Sequence, residues 1–128
     1  MKHDLIADMF CNMKNAEIVG KKECITPASS LIESILGIMK KHDYVKEFSR
    51  IKDGKGDRFS VKLAGNINNC NVIKPRFSLK NNEFIKWEKK YLPANGVGIL
   101  ILTSHKGVMD QNEAKKKELG GKLLGFVY

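Results

Sequence analysis

The sequence lacks the features that hold together or break up an unusual chain. Its three cysteines, Cys11, Cys24 and Cys70, are widely spaced and form no CxxC pair. An odd count at that spacing excludes a disulfide framework and a zinc knuckle, and reads as three reduced thiols of an intracellular protein. Three prolines and no glycine repeat exclude collagen-like and low-complexity classes. No apolar run approaches the roughly 18 residues of a membrane span, and the longest, Val97 to Leu102, is strand-sized. The first residues carry Asp4 and Asp8 and no signal core. A soluble, cytoplasmic protein without a membrane partner is expected. No Walker or dinucleotide fingerprint and no histidine–cysteine ligand spacing appears, so neither a metal nor a cofactor is expected.

Acidic residues are also scarce: 14 Asp and Glu stand against 23 Lys and Arg, a formal charge of +9 on 128 residues. That excess favours an anionic partner. It is unevenly placed. Residues 1–64 hold 12 basic and 9 acidic groups, net +3, and residues 65–128 hold 11 and 5, net +6. At 42% hydrophobic and 29% charged, the composition is globular. The length fits one domain or two small lobes.

Periodicity supplies the elements. Residues Asp4–Asn15 read as a helix with Leu5, Ile6, Met9, Phe10 and Met13 on one arc. Ile18–Ile25 reads as a strand beside the basic turn Gly20-Lys21-Lys22. Ser30 and Glu33 form a capping box for a helix from Leu31 to His42, with stripe Leu31, Ile32, Ile35, Leu36, Ile38 and Met39. Tyr44–Ile51 and the alternating Arg58–Leu63 read as a hairpin around Asp53-Gly54-Lys55-Gly56. Gly65–Asn71, with four asparagines, is the best internal boundary and divides a lobe 1–65 from a lobe 66–128. Beyond it, Val72–Leu79 is extended with Pro75 marking an edge, Glu83–Tyr91 is a short helix, and Val97–Thr103 is a buried strand. A second capping box, Asp110 and Glu113, opens a helix to Leu119 that Gly120-Gly121 stops, and Lys122–Tyr128 is the last strand. The fold class is therefore α+β: an N-terminal α-β-α-β-β lobe, then mixed β with short helices.

The segment Thr103-Ser104-His105-Lys106-Gly107 stands between a buried strand and a capped helix. It reads either as an anion or base-edge site near a helix N-terminus or as an ordinary polar loop. Ser104 as a nucleophile is disfavoured: adjacent residues of an extended segment face opposite ways, and the GxSxG elbow is absent, so no catalytic residue is expected. His3 and His42 stand in no motif, and His42 fits a helix end. Lys89-Lys90 and Lys115-Lys116-Lys117 are either solvated helix faces or phosphate contacts. Phe77, Phe84, Trp87 and Tyr91 either stack on bases or, as the spacing of the last three favours, fill the core.

Four stretches carry a resemblance. They are Asp4-Leu5-Ile6-Ala7-Asp8-Met9 through Lys14-Asn15-Ala16-Glu17, then Met39-Lys40-Lys41-His42-Asp43-Tyr44-Val45-Lys46-Glu47-Phe48. Cys70-Asn71-Val72-Ile73-Lys74-Pro75-Arg76-Phe77 follows, and Gly107-Val108-Met109-Asp110 runs on to Glu113-Ala114 and Gly120-Gly121-Lys122. In this order the chain resembles the small-subunit ribosomal protein eight family, in its archaeal and eukaryotic cytosolic branch. The resemblance implies a two-lobe protein that binds the central domain of small-subunit ribosomal RNA, supports assembly, and neighbours other small-subunit ribosomal proteins. It implies that Thr103, Ser104, His105, Lys106 and Gly107 read an irregular RNA helix. It also implies further contacts from Lys14 and Asn15 in the first lobe and from Lys74 and Arg76. The sequence departs from the family pattern at His105 (usually serine), Ser30 (commonly lysine) and Asp43 (commonly glycine).

Overall fold

The computed structural model describes residues 5–52, 57–73, 78–80, 83–94 and 96–128. The turn 53–56, Lys74, Pro75, Arg76, Phe77, His3 and Asp4 lie outside the described residues. The chain divides into two compact units, Met1–Cys70 and Asn71–Tyr128, and the division falls inside the asparagine-rich connector.

The first unit runs α1 (Leu5–Ile18), β1 (Glu23–Pro27), α2 (Ser30–Lys41), β2 (Val45–Lys52) and β3 (Asp57–Leu63). Its antiparallel sheet has the order β1-β3-β2. The strand expected over Ile18–Ile25 is displaced: the helix continues to Ile18 and the strand starts only at Glu23. The helix is stopped by a Schellman motif, in which Lys21 N–H donates to the Ala16 carbonyl and Gly20 N–H to that of Glu17. Gly20 takes the left-handed step, φ 76°. Ile6, Met9, Phe10, Met13 and Ala16 face the core, whereas Leu5 of the expected stripe is exposed. Opposite, Phe59, Val61 and Leu63 supply the buried side of β3.

The N-cap of α2 is Ser29, not Ser30: the Ser29 hydroxyl accepts from Ile32 N–H at 3.1 Å. Ser30 is already the first helical residue. The helix ends in a second Schellman motif, Tyr44 N–H to Met39 carbonyl and Asp43 N–H to Lys40 carbonyl, with His42 as C-cap. Asp43 occupies the left-handed position, φ 66°, a conformation that favours glycine. A third such motif closes α4 (Gln111–Lys116), with Glu118 left-handed at φ 54°. Gly120-Gly121 therefore does not stop that helix; Glu118 does. A left-handed L-residue costs about 1–2 kcal/mol, part of which glycine returns through its freer unfolded chain. Glu118→Gly is expected to raise unfolding free energy by about 0.5–1 kcal/mol, measured by urea titration.

The second unit adds β4 (Cys70–Val72, starting at the unit boundary), β5 (Ser78–Leu79), α3 (Phe84–Tyr91), β6 (Ile99–Ser104), β7 (Gly107–Asp110), α4 and β8 (Gly121–Val127). The sheet order is β4-β8-β6-β7, with β5 also paired to β8. The buried strand expected over Val97–Thr103 begins later, at Ile99. Gly98 adopts φ 85°, and Val97 is exposed. Phe84 and Trp87 lie in the core cluster with Leu100, Leu102, Met109 and Leu123, and Tyr91 packs against it. Trp87, Tyr91, Phe126 and Tyr128 form a stacked ladder with ring centroids 6.2, 5.4 and 6.0 Å apart. Phe84 and Trp87 are core and Tyr91 packs against it, as the spacing of these three along the helix indicated.

All three thiols are free. Burial pushes the Cys24 thiol up to about 11 and the Cys70 thiol up to about 12. The Cys70 S–H also donates to the Phe10 carbonyl at 3.6 Å. Near neutral pH a thiol reagent is expected to modify exposed Cys11 at once, and Cys24 and Cys70 only on unfolding. Because both folded values are raised, this contribution to stability is complete below the ordinary value of 9.0 and is lost as pH rises through about 11 to 12. Among the described residues no helix is long and apolar enough to cross a membrane.

Candidate nucleic-acid interface

The segment Thr103–Gly107 is the tip of a hairpin, not a loop leading into a helix. β6 and β7 pair with Leu102 opposite Met109, Thr103 opposite Val108 and Ser104 opposite Gly107. Only His105 and Lys106 remain to turn the chain. The whole of β7 separates the tip from α4, so the segment does not lead directly into that helix. Asp110 precedes that helix, but its side chain makes no cap hydrogen bond. The expectation of a loop opening directly into a helix N-terminus is therefore corrected: the segment leads into strand β7.

The tip is built by one hydroxyl and one glycine. Ser104 Oγ donates to the Gly107 carbonyl at 3.1 Å and accepts from Lys106 N–H at 3.2 Å. These two bonds span the turn and fix its backbone. Neither His105 nor Lys106 has a positive φ; the left-handed step falls on Gly107, at φ 114°. A type I′ turn, which needs two positive φ values, is thus excluded, and glycine is required at the position that follows the turn. The consequence is presentation. His105, Lys106 and Gly107 are exposed, while Thr103 and Ser104 are half-buried at the base. Ser104 has its hydroxyl committed to the turn, which is structural chemistry rather than that of a nucleophile.

One neighbour of the tip was invisible in the sequence. β6 also pairs antiparallel with β8, and Lys122 lies directly opposite Thr103. Directly opposed residues share a face, so Thr103, Val108 and the exposed Lys122 line one side of the hairpin base. The signal for Lys122 is a strand pairing, which no local motif encodes. Next to it, Gly121 gives the strands their close approach: a Cβ there would sit 2.3 Å from the Thr103 carbonyl oxygen.

The other sequence-derived residues are placed differently. Lys14 and Asn15 lie on α1 of the first unit, Lys14 half-buried and Asn15 exposed. The Asn15 amide donates to Cys11 Sγ at 3.6 Å. Lys74 and Arg76 fall outside the described residues. Among the described residues no cluster of histidine, cysteine and carboxylate side chains could hold a metal ion. The lysine runs are partly engaged: Lys117 pairs with Glu113 at 3.1 Å, and Lys115 pairs with Glu88 of α3. In the first unit, Arg50 is bound to both Glu33 and Asp57, and Lys62 to Glu47.

A family model described as Ribosomal protein S8 matches residues 4–128. The chain belongs to the ribosomal protein S8 family. Its relatives agree along the full length. The small ribosomal subunit protein uS8 of Archaeoglobus fulgidus is 47% identical over 129 residues, covering 100% of both chains. That of Thermoplasma acidophilum is 48% identical over 129 residues, again covering 100% of both. That of Methanococcoides burtonii is 48% identical over 126 residues, covering 98% of this chain and 97% of its own. These are archaeal members, and the S8 chain described here falls in that branch.

Proposed function

We propose that this chain is a structural component of the small ribosomal subunit and no enzyme, and that it holds the central domain of small-subunit ribosomal RNA through the β6–β7 tip. The membership of the S8 family over residues 4–128 carries the ribosomal part of this reading. The hairpin geometry carries the choice of site. A-form RNA closes its major groove to side chains, so recognition falls on irregular or unpaired positions that a narrow, rigid projection can enter. The tip supplies such a projection, with His105, Lys106 and the Gly107 backbone outermost. Thr103 and Lys122 stand on one side of its base. Lys14 and Asn15 of the first lobe, together with Lys74 and Arg76, provide further contacts. The second lobe, residues 66–128, is the RNA-reading half, and its net +6 provides attraction that does not depend on sequence. Its other partners are neighbouring proteins of the small subunit, and its place is the cytoplasmic ribosome.

Filter binding of the full chain to a central-domain RNA fragment over a range of salt tests the site. Lys106→Ala is expected to weaken binding and to lower the slope of log affinity against log salt by about one unit. An unchanged slope removes Lys106 from the interface. Sucrose-gradient sedimentation separates the ribosomal reading from that of a stand-alone RNA-binding regulator. The chain is expected to travel with small subunits, and a chain found only at the top of the gradient contradicts the proposal.

A further inference from the structure

The surface of α3 that turns away from the core is not an ordinary solvated face. Phe84 and Trp87 are buried, and Glu88 and Tyr91 are half-buried, which leaves Ile85, Lys86, Lys89 and Lys90 on the outer arc. Ile85 is 65% exposed in the midst of these lysines. It forms one wall of a cleft of about 420 Å³, closed by Leu92, Pro93 and Ala94 and rimmed by Lys89 and by Lys115 of α4. The size is that of a small-ligand site, with Ile85, Leu92, Pro93 and Ala94 as its apolar part and Glu88, Lys89 and Lys115 as its charged part. The cleft's acid, Glu88, is bound to Lys115, so it offers little repulsion to an incoming anion. Lys89 on the rim and Lys116 nearby on α4 form no ion pair with any described residue, while the Lys86 ammonium lies over the Trp87 ring at 5.5 Å.

We propose that this α3–α4 cleft is a second RNA contact, which takes one unstacked base against Ile85, Leu92 and Pro93 and the flanking phosphates on the lysines of α3 and α4. The apolar slot suits the flat face of a base, and the basic rim suits the charge on either side of it. A slot without the rim would fit any apolar group, and a rim without the slot would fit any polyanion. The pair selects a single-stranded or bulged nucleotide. The cleft shares no residue with the β6–β7 tip, so the two contacts are separable by mutation. The inference rests on the reading of the chain as an RNA binder, and the test is arranged to tell the two apart.

The test is filter binding of full-length variants to the central-domain RNA fragment, with Ser104→Ala and Lys106→Ala measured in parallel. Lys89→Glu is expected to weaken binding about tenfold and to lower the salt slope by about one to two units. Ile85→Ser is expected to weaken it about three- to fivefold with the slope unchanged, because it removes apolar contact and no charge. Both side chains are exposed. Trp87, the single tryptophan, lies in the core of the same unit and reports folding by its emission. Lys89→Gln replaces the charge reversal if that emission changes. If Lys89→Glu and Ile85→Ser bind as wild type while the tip variants are weakened, the cleft is not an RNA contact, an acidic protein segment becomes its fitting occupant, and the proposal fails alone. If all four bind as wild type, the RNA-binding reading of the tip fails as well.

Discussion

Gly121→Val is expected to destabilise the protein by about 3 kcal/mol or more, read by urea titration with circular dichroism. Gly121 is the first residue of β8, paired with Leu79 on one side. A Cβ at this position would lie 2.3 Å from the Thr103 carbonyl oxygen and 3.0 Å from Leu102 Cδ1. The first of these is backbone, which has no rotamer to turn aside. The strands must part, and the β6–β8 ladder beneath the β6–β7 tip parts with them. Gly121→Ala meets the same oxygen and is expected to cost about 2 kcal/mol. Gly37 provides the opposite control. It lies inside α2, is exposed, and a Cβ there meets nothing within 4 Å. Gly37→Ala is expected to stabilise by about 0.5–1 kcal/mol through helix propensity and the unfolded chain. Equal effects from the two alanine variants would contradict the packing described here.

Ser104→Ala is expected to weaken cognate RNA binding about tenfold while leaving non-specific binding to an unrelated duplex nearly unchanged. The hydroxyl bridges Gly107 carbonyl and Lys106 N–H, so its loss frees the turn and leaves two backbone groups to water. Non-specific affinity comes from the summed positive charge, which this substitution does not touch. Specific affinity needs the tip held in one shape before it meets the RNA. Ser104→Thr keeps the hydroxyl and is expected to recover most of the loss. A drop of equal size on cognate and unrelated RNA would mean that the tip supplies general attraction rather than discrimination.

The β2–β3 pair and helix α2 are the elements on which the sequence pattern and the structure agree best. The β2–β3 hairpin was readable because Phe59, Val61 and Leu63 alternate with polar residues, and all three are buried. Helix α2 was readable from its stripe, although two adjacent serines made the cap ambiguous by one residue. The failures share a different cause. Asp43 and Glu118 end helices in a conformation usually given to glycine, so the eye passes to the nearest glycines, and Gly120-Gly121 was assigned a local role. Their actual part is tertiary: Gly120 lies against the Leu79 carbonyl and Gly121 against that of Thr103. The Thr103–Gly107 segment reads in the sequence as a strand–helix loop, whereas the structure makes it the tip of a hairpin. β7 has only four residues, too few for its alternation to show against the capping pattern formed by its last residue, Asp110, with Glu113. Lys122 was missed because its place beside Thr103 is set by strand register between distant segments.

Charge alone pointed only to an anion. The proposed site at the tip gives that anion a place to bind and a shape to match, and both are open to test. The direct measurement is ultraviolet crosslinking of the full chain to small-subunit ribosomal RNA, with both the peptide and the nucleotides sequenced. A dominant crosslink is expected in the peptide carrying residues 103–107, joined to unpaired nucleotides of one irregular helix in the central domain. Crosslinks spread along the RNA, or confined to peptides that exclude the β6–β7 hairpin, would contradict it.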